Sequence, residues 1–444
     1  MPTYKFVDLF SGCGGLSLGL SMAGLDGLFA VERDGMAFET FSANFLSERE
    51  LPVRKFIWPA WLEQRTWSID ELLGQHLEDL QQLAGVVQVL AGGPPCQGFS
   101  FAGRRDESDP RNQLFGKYVE VVKAIMPSAL LLENVPGMTV AHSKNGASGE
   151  GLDASAESYY EKLKRSLESI GYEVHGELVD ASRFGVPQKR TRLIVIGLRN
   201  SIAASCEGGI KQVFTVLEDI RVAQLKELDL PDTVPSRDAL SDLTTKSHPR
   251  KPCIDPYSPK GFEEIEYDKP LSKYQELMHR HCCKDAMDSM RLARHGDEVR
   301  ERFERILNEC PRGVRMNEAN RKQYGTKKHR IFPMDAEAPA PTITTLPDDV
   351  LHYSEPRILT VRESARLQSF PDWFQFRGKF TTGGDRRTKE CPRYTQVGNA
   401  VPPLLARAIG LTIKAVLDAS NGNRESWSAA VNCGSAEFEE VTVA

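Results

Sequence analysis

Tyr4-Lys5-Phe6-Val7-Asp8-Leu9-Phe10 is a run of strand length that stops at Ser11-Gly12-Cys13-Gly14-Gly15 and gives way to a helical stretch, Leu16 to Met22. Strand, glycine loop and helix in that order belong to an open α/β sheet, with backbone N–H groups at the helix start offered to an adenosyl or phosphate ligand. The glycines are not spaced GxGxxG, which argues against a dinucleotide. Twenty residues after Gly12, the apolar Leu28-Phe29-Ala30-Val31 ends in Glu32. A second strand offers a carboxylate to ribose hydroxyls from that place. A nucleoside ligand without a pyrophosphate fits both features; a structural turn followed by an unrelated glutamate is the competing reading.

A second punctuated strand follows. Val86-Val87-Gln88-Val89-Leu90 runs into Gly92-Gly93-Pro94-Pro95-Cys96-Gln97-Gly98-Phe99-Ser100, where two glycines and two prolines stiffen a turn and leave a thiol at its tip. A thiolate is a strong nucleophile, and a rigid turn would aim it. The segment Leu51 to Leu83 holds Trp58, Trp61 and Trp67, read as core, and a helix from Ile69 to Leu83. Residues 101–112 form a polar, glycine-bearing loop, and Leu114 to Met126 a helix ended by Pro127. The buried strand Ala129-Leu130-Leu131-Leu132 then delivers Glu133-Asn134-Val135-Pro136 to the same sheet edge, so Cys96 and Glu133 can converge on one crevice. Further on, Gln188, Arg190 and Arg192 alternate ahead of Leu193-Ile194-Val195-Ile196, and on one strand face they suit an anion or a base edge.

Length allows two domains, and 40% hydrophobic and 26% charged residues describe an ordinary globular composition. There is no apolar run of about 18 residues and no secretory leader pattern, and nine scattered cysteines fit a reducing cytosol. The net charge of −5 argues against indiscriminate polyanion binding, but it is uneven. Lys246–Asp335 carries 20 Lys/Arg against 15 Asp/Glu, a local +5 that leaves −10 for the remainder. Within Arg312–Arg330 there are seven basic residues and one acid, Glu318, which suggests a local nucleic-acid surface.

Taken together, these blocks resemble the bacterial-type DNA (cytosine-5) methyltransferases. The resemblance rests on Asp8–Gly15, Pro94-Pro95-Cys96-Gln97, Glu133-Asn134-Val135 and Gln188-x-Arg190-x-Arg192. Arg362-Glu363-Ser364-Ala365-Arg366-Leu367-Gln368 and Gln396-Val397-Gly398-Asn399-Ala400-Val401-Pro402-Pro403 complete it, in the family's order, over residues 4 to about 410. It implies an α/β fold: a Rossmann-like S-adenosylmethionine-dependent methyltransferase sheet plus a smaller target-recognition domain. It also implies methyl transfer from S-adenosylmethionine to C5 of a cytosine flipped out of duplex DNA.

The chemistry gives each implied residue a task. Cytosine C5 is a poor nucleophile, and addition of the Cys96 thiolate to C6 makes it enamine-like. Glu133 would bond N3 and the exocyclic amine, and Arg192 would hold the O2 side and keep Glu133 placed. Asn134 belongs to the same catalytic block, and Arg190 is either structural or phosphate-facing. The implied donor pocket comprises Phe10, Cys13, Glu32, Arg33, Pro95, Leu114, Asn399 and Val401, with Gly12 and Gly14 allowing close backbone approach. One departure stands out: where the family places an Asp-Ile pair against the adenine, this chain offers Ser68-Ile69, with Asp70 one step late. The loop Ser100–Arg111 resembles one that closes over flipped DNA, leaving Arg104 and Arg105 as phosphate contacts or as solvated loop charges.

The resemblance divides the chain into a catalytic domain, 1–200 completed by 395–418, a recognition domain, 201–394, and a loose tail, 419–444. Val299, Phe303, Ile306 and Cys310 form the core stripe of a helix before Pro311. Arg312–Arg330 is expected to face DNA. Pro341-Thr342-Ile343-Thr344-Thr345-Leu346 would enter the recognition domain, one threonine bracing the flipped nucleotide. Arg362–Pro371 and Leu404–Val416 are expected helices. His279, His281, Cys282 and Cys283 lack the paired spacing of a zinc site, so no metal is expected. The expected partner is double-stranded DNA, with no membrane, a monomeric state, a bacterial cytosolic or nucleoid location, and a cognate restriction endonuclease acting separately. A tRNA-directed relative would carry Cys-Phe-Thr soon after Glu-Asn-Val, where this chain has Pro136-Gly137-Met138. A binding-only homologue would have lost a catalytic block.

Overall fold

The computed structural model describes residues 3–422 apart from 96–112, 141–156, 247, 283–286, 327, 329, 384–385 and 387–388. Cys96, Arg104, Arg105, Cys283 and the expected tail beyond 422 therefore lie outside the described residues.

Six strands form one sheet: β1 (Lys5–Leu9), β2 (Asp26–Val31), β3 (Val89–Gly92), β4 (Ala129–Asn134), β5 (Tyr172–Asp180) and β6 (Thr191–Arg199). Their order is β2-β1-β3-β4-β6-β5. The first four are parallel, and β6 runs antiparallel to both β4 and β5. Leu9 pairs with Val31 on one side and Gly92 on the other, and Gly92 pairs with Leu132, so the carboxyl ends of four strands line up. The connections run outward in opposite directions from β1 and β3, and the switch point between them opens a crevice at those ends.

Period-two alternation splits the apolar side chains between two cores. Phe6, Ala30, Ala91, Leu131 and Ile194 face one, while Val7, Phe29, Leu90, Leu132 and Val195 face the other. The second core is covered by α3 (Ile69–Gln81), α4 (Gln113–Ile125) and α5 (Tyr159–Glu168). Trp67 is buried there, and Trp61 meets Phe29 edge-on, as expected of core tryptophans. The strand expected from Val86 starts three residues later, because the amides of Val86 and Val87 close the turn that ends α3 by donating to Leu83.

The first core is closed by α1 (Gly15–Met22) and the long helix Pro403–Ser420. A Cβ on Gly19 would sit 2.3 Å from the Ala406 Cβ and 2.5 Å from the Pro403 carbonyl, so only glycine lets the backbones touch. α2 (Gly35–Phe45) completes that layer, its first amides capped by Asp34, which accepts from Met36 and Ala37 at 2.9 Å each. The helix Gln212–Glu227 packs on the same flank, with Gln224 Nε2 donating to the carbonyls of Phe184 and Leu404. The helix expected from Arg362 to Pro371 spans Val361–Leu367, opened by a capping box between Thr360 and Glu363.

Buried ion pairs organise the second half. Arg366 is wholly buried between Asp242 and Asp372, gripping Asp372 in a fork at 2.8 and 2.7 Å. His279, one of the residues weighed for zinc, faces the same Asp372 at 3.0 Å. Arg357 grips Glu363 through two bonds of 2.7 Å, and Arg393 pairs with Asp255 at 2.6 Å. Of the expected stripe, Phe303 and Ile306 are buried on the helix Asp297–Glu309, Cys310 is buried just after it, and Val299 packs against them half-buried. No single helix is long and apolar enough to cross a membrane among the described residues. Gly19→Val is expected to lower stability by about 1–3 kcal/mol or more, through overpacking, read as a lower urea midpoint; an unchanged midpoint would mean that the two helices can part at no cost.

Candidate active site

The glycine loop leaves β1 through three left-handed residues, Phe10 (φ 60), Gly12 (φ 56) and Gly14 (φ 95). Where a Cβ would project from Gly12 there is open space, whereas on Gly15 it would meet the Val401 carbonyl at 2.4 Å. The loop is therefore open on one side and sealed on the other by the chain's return from its far end. Cys13 belongs to the sealed side: its buried thiol lies 3.7 Å from the Gln396 carbonyl, and burial pushes its pKa up to about 12, so it is no thiolate.

Glu32 ends β2 beside this loop. Its two carboxylate oxygens accept the Gly12 amide at 2.9 Å and the Asp34 amide at 2.7 Å. Burial raises its pKa, and those amides pull it back. Arg33 next to it is exposed. Asp8 sits beneath, buried, accepting the Ser17 hydroxyl at 2.6 Å. Its other oxygen and the Ser11 hydroxyl lack partners among the described residues. Burial, above all, carries the Asp8 pKa to about 7, with Ser17 opposing and Glu32 adding to the rise. A glycine cradle with open space, a carboxylate at its lip and two unanswered polar atoms suits a hydroxyl- and amine-bearing nucleoside.

The other residues expected to line a donor pocket differ in exposure. Val401 is buried and Asn399 exposed at the end of the helix Arg393–Asn399; Pro95 and Leu114 are half-buried. Ser68 caps α3, its hydroxyl accepting the Glu71 amide at 3.1 Å, while Trp67 donates its amide to the Glu32 carbonyl at 2.9 Å. Asp70 points to solvent, 3.8 Å from Lys117.

Across the crevice, the antiparallel pairing of β4 and β6 brings the start of one strand to the end of the other. Glu133 stands opposite Ile194, so Arg192, two residues earlier on β6, is its diagonal neighbour on the same face. Arg192 Nε lies 3.0 Å from Glu133 Oε1. That oxygen makes no well-directed hydrogen bond, so the contact is better described as an ion pair. Gly93 lies against this carboxylate: a Cβ there would be 3.7 Å from Glu133 Oε2. Asn134 Nδ2 donates to the Pro94 carbonyl at 3.2 Å, and its Oδ1 accepts the Val135 amide at 2.8 Å. The turn that leads to Cys96 is thereby tied to the strand that carries Glu133.

Gln188 and Arg190 correct the reading of a shared polar face. Both precede β6 and are buried. Gln188 donates to the Leu367 carbonyl and accepts the Ile343 amide at 2.8 Å. Arg190 donates to the carbonyls of Ile343 (3.1 Å), Gly398 (3.0 Å) and Ala400 (3.1 Å). Burial pulls its pKa below the ordinary value, as does Arg192, while Glu133 works the other way. Alternation located these side chains but could not reveal that three backbone segments arrive to use them.

Much of the basic run is also used internally. Arg312 donates to the Tyr353 carbonyl at 3.0 Å, Arg330 to the Thr342 carbonyl at 3.2 Å, and Lys322 and Lys328 pair with Glu318 and Asp348. Of the expected threonines, Thr342 donates to the Lys189 carbonyl and Thr344 to Asp349, both at 2.7 Å. Asp8 and Gly93 also border this crevice without having been expected there, and an acid in an apolar strand is the signal the sequence offers for Asp8.

An open α/β sheet with its crevice between a glycine loop and a carboxylate–guanidinium pair is the architecture of an S-adenosylmethionine-dependent methyltransferase. The chain belongs to the C-5 cytosine-specific DNA methylase family, whose family model matches residues 4–415. It is 30% identical over 418 residues to the type II methyltransferase M.DdeI of Desulfomicrobium norvegicum, covering 91% of this chain and 87% of that one. It is 31% identical over 412 residues to M1.HphI of Haemophilus parahaemolyticus, covering 91% and 85%. In structure it is similar to a DNA modification methyltransferase encoded within an E. coli prophage, with TM-score 0.60 and 25% identity over 94% of this chain and 100% of that one. The chain is thus a DNA cytosine-5 methyltransferase that uses S-adenosylmethionine.

The Asp8 carboxyl sets a pH dependence. Its unfolded counterpart titrates near about 4, so between there and about 7 the folded chain holds a proton that the unfolded chain has released. The stability this provides is complete below about 4 and is lost as pH rises through about 7. Asp8→Asn, which cannot ionise, is expected to gain on wild type in urea midpoint from pH 4 to pH 8; a constant difference would refute the buried titration.

Proposed function

We propose that this enzyme is the modification half of a type II restriction–modification system, methylating one cytosine within a specific duplex sequence. It would act as a monomer in the bacterial cytosol, at the nucleoid, with a separate endonuclease sharing its site. The reading divides labour between a catalytic unit, 1–200 completed by 395–418, and a recognition unit, 201–394. The observation that carries the site assignment is the Arg192–Glu133 pair, 3.0 Å apart at the crevice into which the Pro94-Pro95 turn leads.

In this reading Cys96 is the nucleophile, Glu133 bonds the N3 edge of the flipped cytosine, and Arg192 holds both Glu133 and the O2 side. Asn134 fixes the turn through the Pro94 carbonyl. Glu32, Phe10, the glycines of the loop, Arg33, Leu114, Asn399 and Val401 hold the donor, which supplies an electrophilic methyl group when bound. Cys96 addition to C6 raises electron density at C5, and Glu133, as the carboxylic acid, donates its proton to N3 and so offsets the negative charge that develops on the ring. Once C5 has taken the methyl group, loss of the C5 proton and expulsion of the thiolate restore aromaticity. Exposed basic residues such as Arg315 and Lys322 would add phosphate affinity that weakens with salt.

Bisulfite sequencing of plasmid DNA grown with and without the gene should reveal one protected sequence; absence of any protected cytosine overturns the proposal. On a duplex with 5-fluorocytosine at that position, with S-adenosylmethionine present, wild type should form an SDS-stable adduct and Cys96→Ser none. Glu133→Gln should keep DNA affinity and lower kcat by about 10²–10⁴, measured by tritiated methyl transfer. Full activity in either variant removes that residue from the chemistry.

A further inference from the structure

We propose that Arg190 is a positioning residue that couples the two substrate sites, so that filling the donor crevice tightens the hold on DNA and the reverse. The inference rests on the site assignment above and goes beyond it, because Arg190 touches neither substrate in that assignment.

The coupling follows from where its bonds go. Nη2 spans the carbonyls of Gly398 and Ala400, on either side of Asn399, and Nη1 reaches the Ile343 carbonyl. The segment it grips has no slack toward the donor loop, since the Val401 carbonyl would lie 2.4 Å from a Gly15 Cβ and Cys13 meets Gln396 at 3.7 Å. Nor has it slack toward the other side, where a Cβ on Gly398 would be 2.4 Å from the Thr344 carbonyl. Two residues along the chain, Arg192 reaches Glu133 at 3.0 Å. Anything that shifts residues 398–401 must therefore shift Arg190, and with it the start of β6 and the segment 343–345.

The kind of partner matters as well. A carboxylate would answer the charge of a buried guanidinium with a fork, as Asp372 does for Arg366 alongside Asp242. Arg190 has instead three carbonyls from two returning segments, and its Nε lacks a partner among the described residues. Its position is set jointly by segments that belong to different sites. Packed networks of this type have discrete arrangements rather than continuous give, and a ligand that favours one of them biases the other site. Thermodynamic linkage then makes the effect equal in both directions.

The test uses the duplex carrying the sequence identified by bisulfite, and S-adenosylhomocysteine as the donor-site probe. DNA affinity is measured by fluorescence anisotropy with and without saturating probe, and probe affinity by calorimetry with and without DNA. Wild type should show the same tightening both ways, on the order of 5–150-fold. Arg190→Lys, which cannot span three carbonyls, should bring that factor to within about twofold of unity while its thermal midpoint still reports a folded protein. Arg407→Met is the control, since Arg407 is buried but pairs with Gln224 and Glu227 away from both sites, and it should keep the wild-type factor. In wild type, hydrogen exchange with the probe alone should slow at 188–194 and 343–346 as well as at 396–401, which tests the coupling even if Arg190→Lys does not fold. No coupling in wild type, full coupling in Arg190→Lys, loss in both variants, or exchange protection confined to 396–401 would each overturn the inference. Failure of wild type to methylate DNA would strike the functional reading instead.

Discussion

The crevice has its inner wall because helix Pro403–Ser420 is held backbone to backbone against α1. Helix Pro403–Ser420 lies so close to α1 that Gly19 and Gly410 are the residues at which they touch, each leaving under 3 Å for a side chain. Such contact combines apolar burial with dispersion at close range, and no larger residue could reproduce it. Once the helix is seated, residues 396–401 are carried to the wall of the glycine loop. Val401 then closes the loop's inner side and leaves Gly12 open on the outer one. The glycine loop is thus walled by the first and last tenth of the described chain.

A second set of constraints is ionic and buried. Arg357, Arg362, Arg366 and Arg393 all have their charges answered by carboxylates inside the fold. Such pairs add little net stability against an apolar replacement, because removing two ions from water costs about what their attraction returns. Removing one partner is a different matter, since it strands a charge. Asp372 illustrates the balance: burial alone would raise its pKa, but Arg366 and the bond from His279 hold it well below the usual carboxylate range. These pairs tie segments of residues 242–393 to one another. They also explain why a charge count is a poor map of surface, since many of the charges in that region are interior.

The two sides of the crevice are electrostatically unlike. Beside the glycine loop, Asp8 and Glu32 are acids whose burial favours the neutral form, each restrained by hydrogen bonds to its anion. On the opposite side, Glu133 has a guanidinium at its edge and the Arg190 cation within electrostatic reach. A carboxyl so placed can bond a ring nitrogen only as the acid, by donating its proton, and the guanidinium beside it then balances its anion once the proton has moved. Strand order produces this division. The parallel strands β1 and β2 deliver the acids, and only an antiparallel β6 could bring Arg192 to the end of β4.

Local signals were legible without the fold. Strand, glycine loop and helix at Lys5–Met22, Glu32 after the second strand, and the delivery of Glu133 by β4 all appear where the pattern of residues placed them. These depend on φ preferences, two-residue alternation and apolar runs, which act over a few residues. The ordered motifs extended that reading to function, because their chemistry is specific. What stayed hidden depended on segments distant in the chain. Gln188 and Arg190 looked like a face for a base or an anion, yet returning backbones at 343 and 398–400 needed those donors and buried them. Arg312 and Arg330 looked free for phosphate, yet carbonyls from Tyr353 and Thr342 take part of their hydrogen bonding. Sequence by itself determined which residues have the chemistry of a cytosine-5 methyltransferase. Tertiary structure decided which of its polar groups are spent inside, because a buried carbonyl must find a donor and the chain does not say in advance which one will be near.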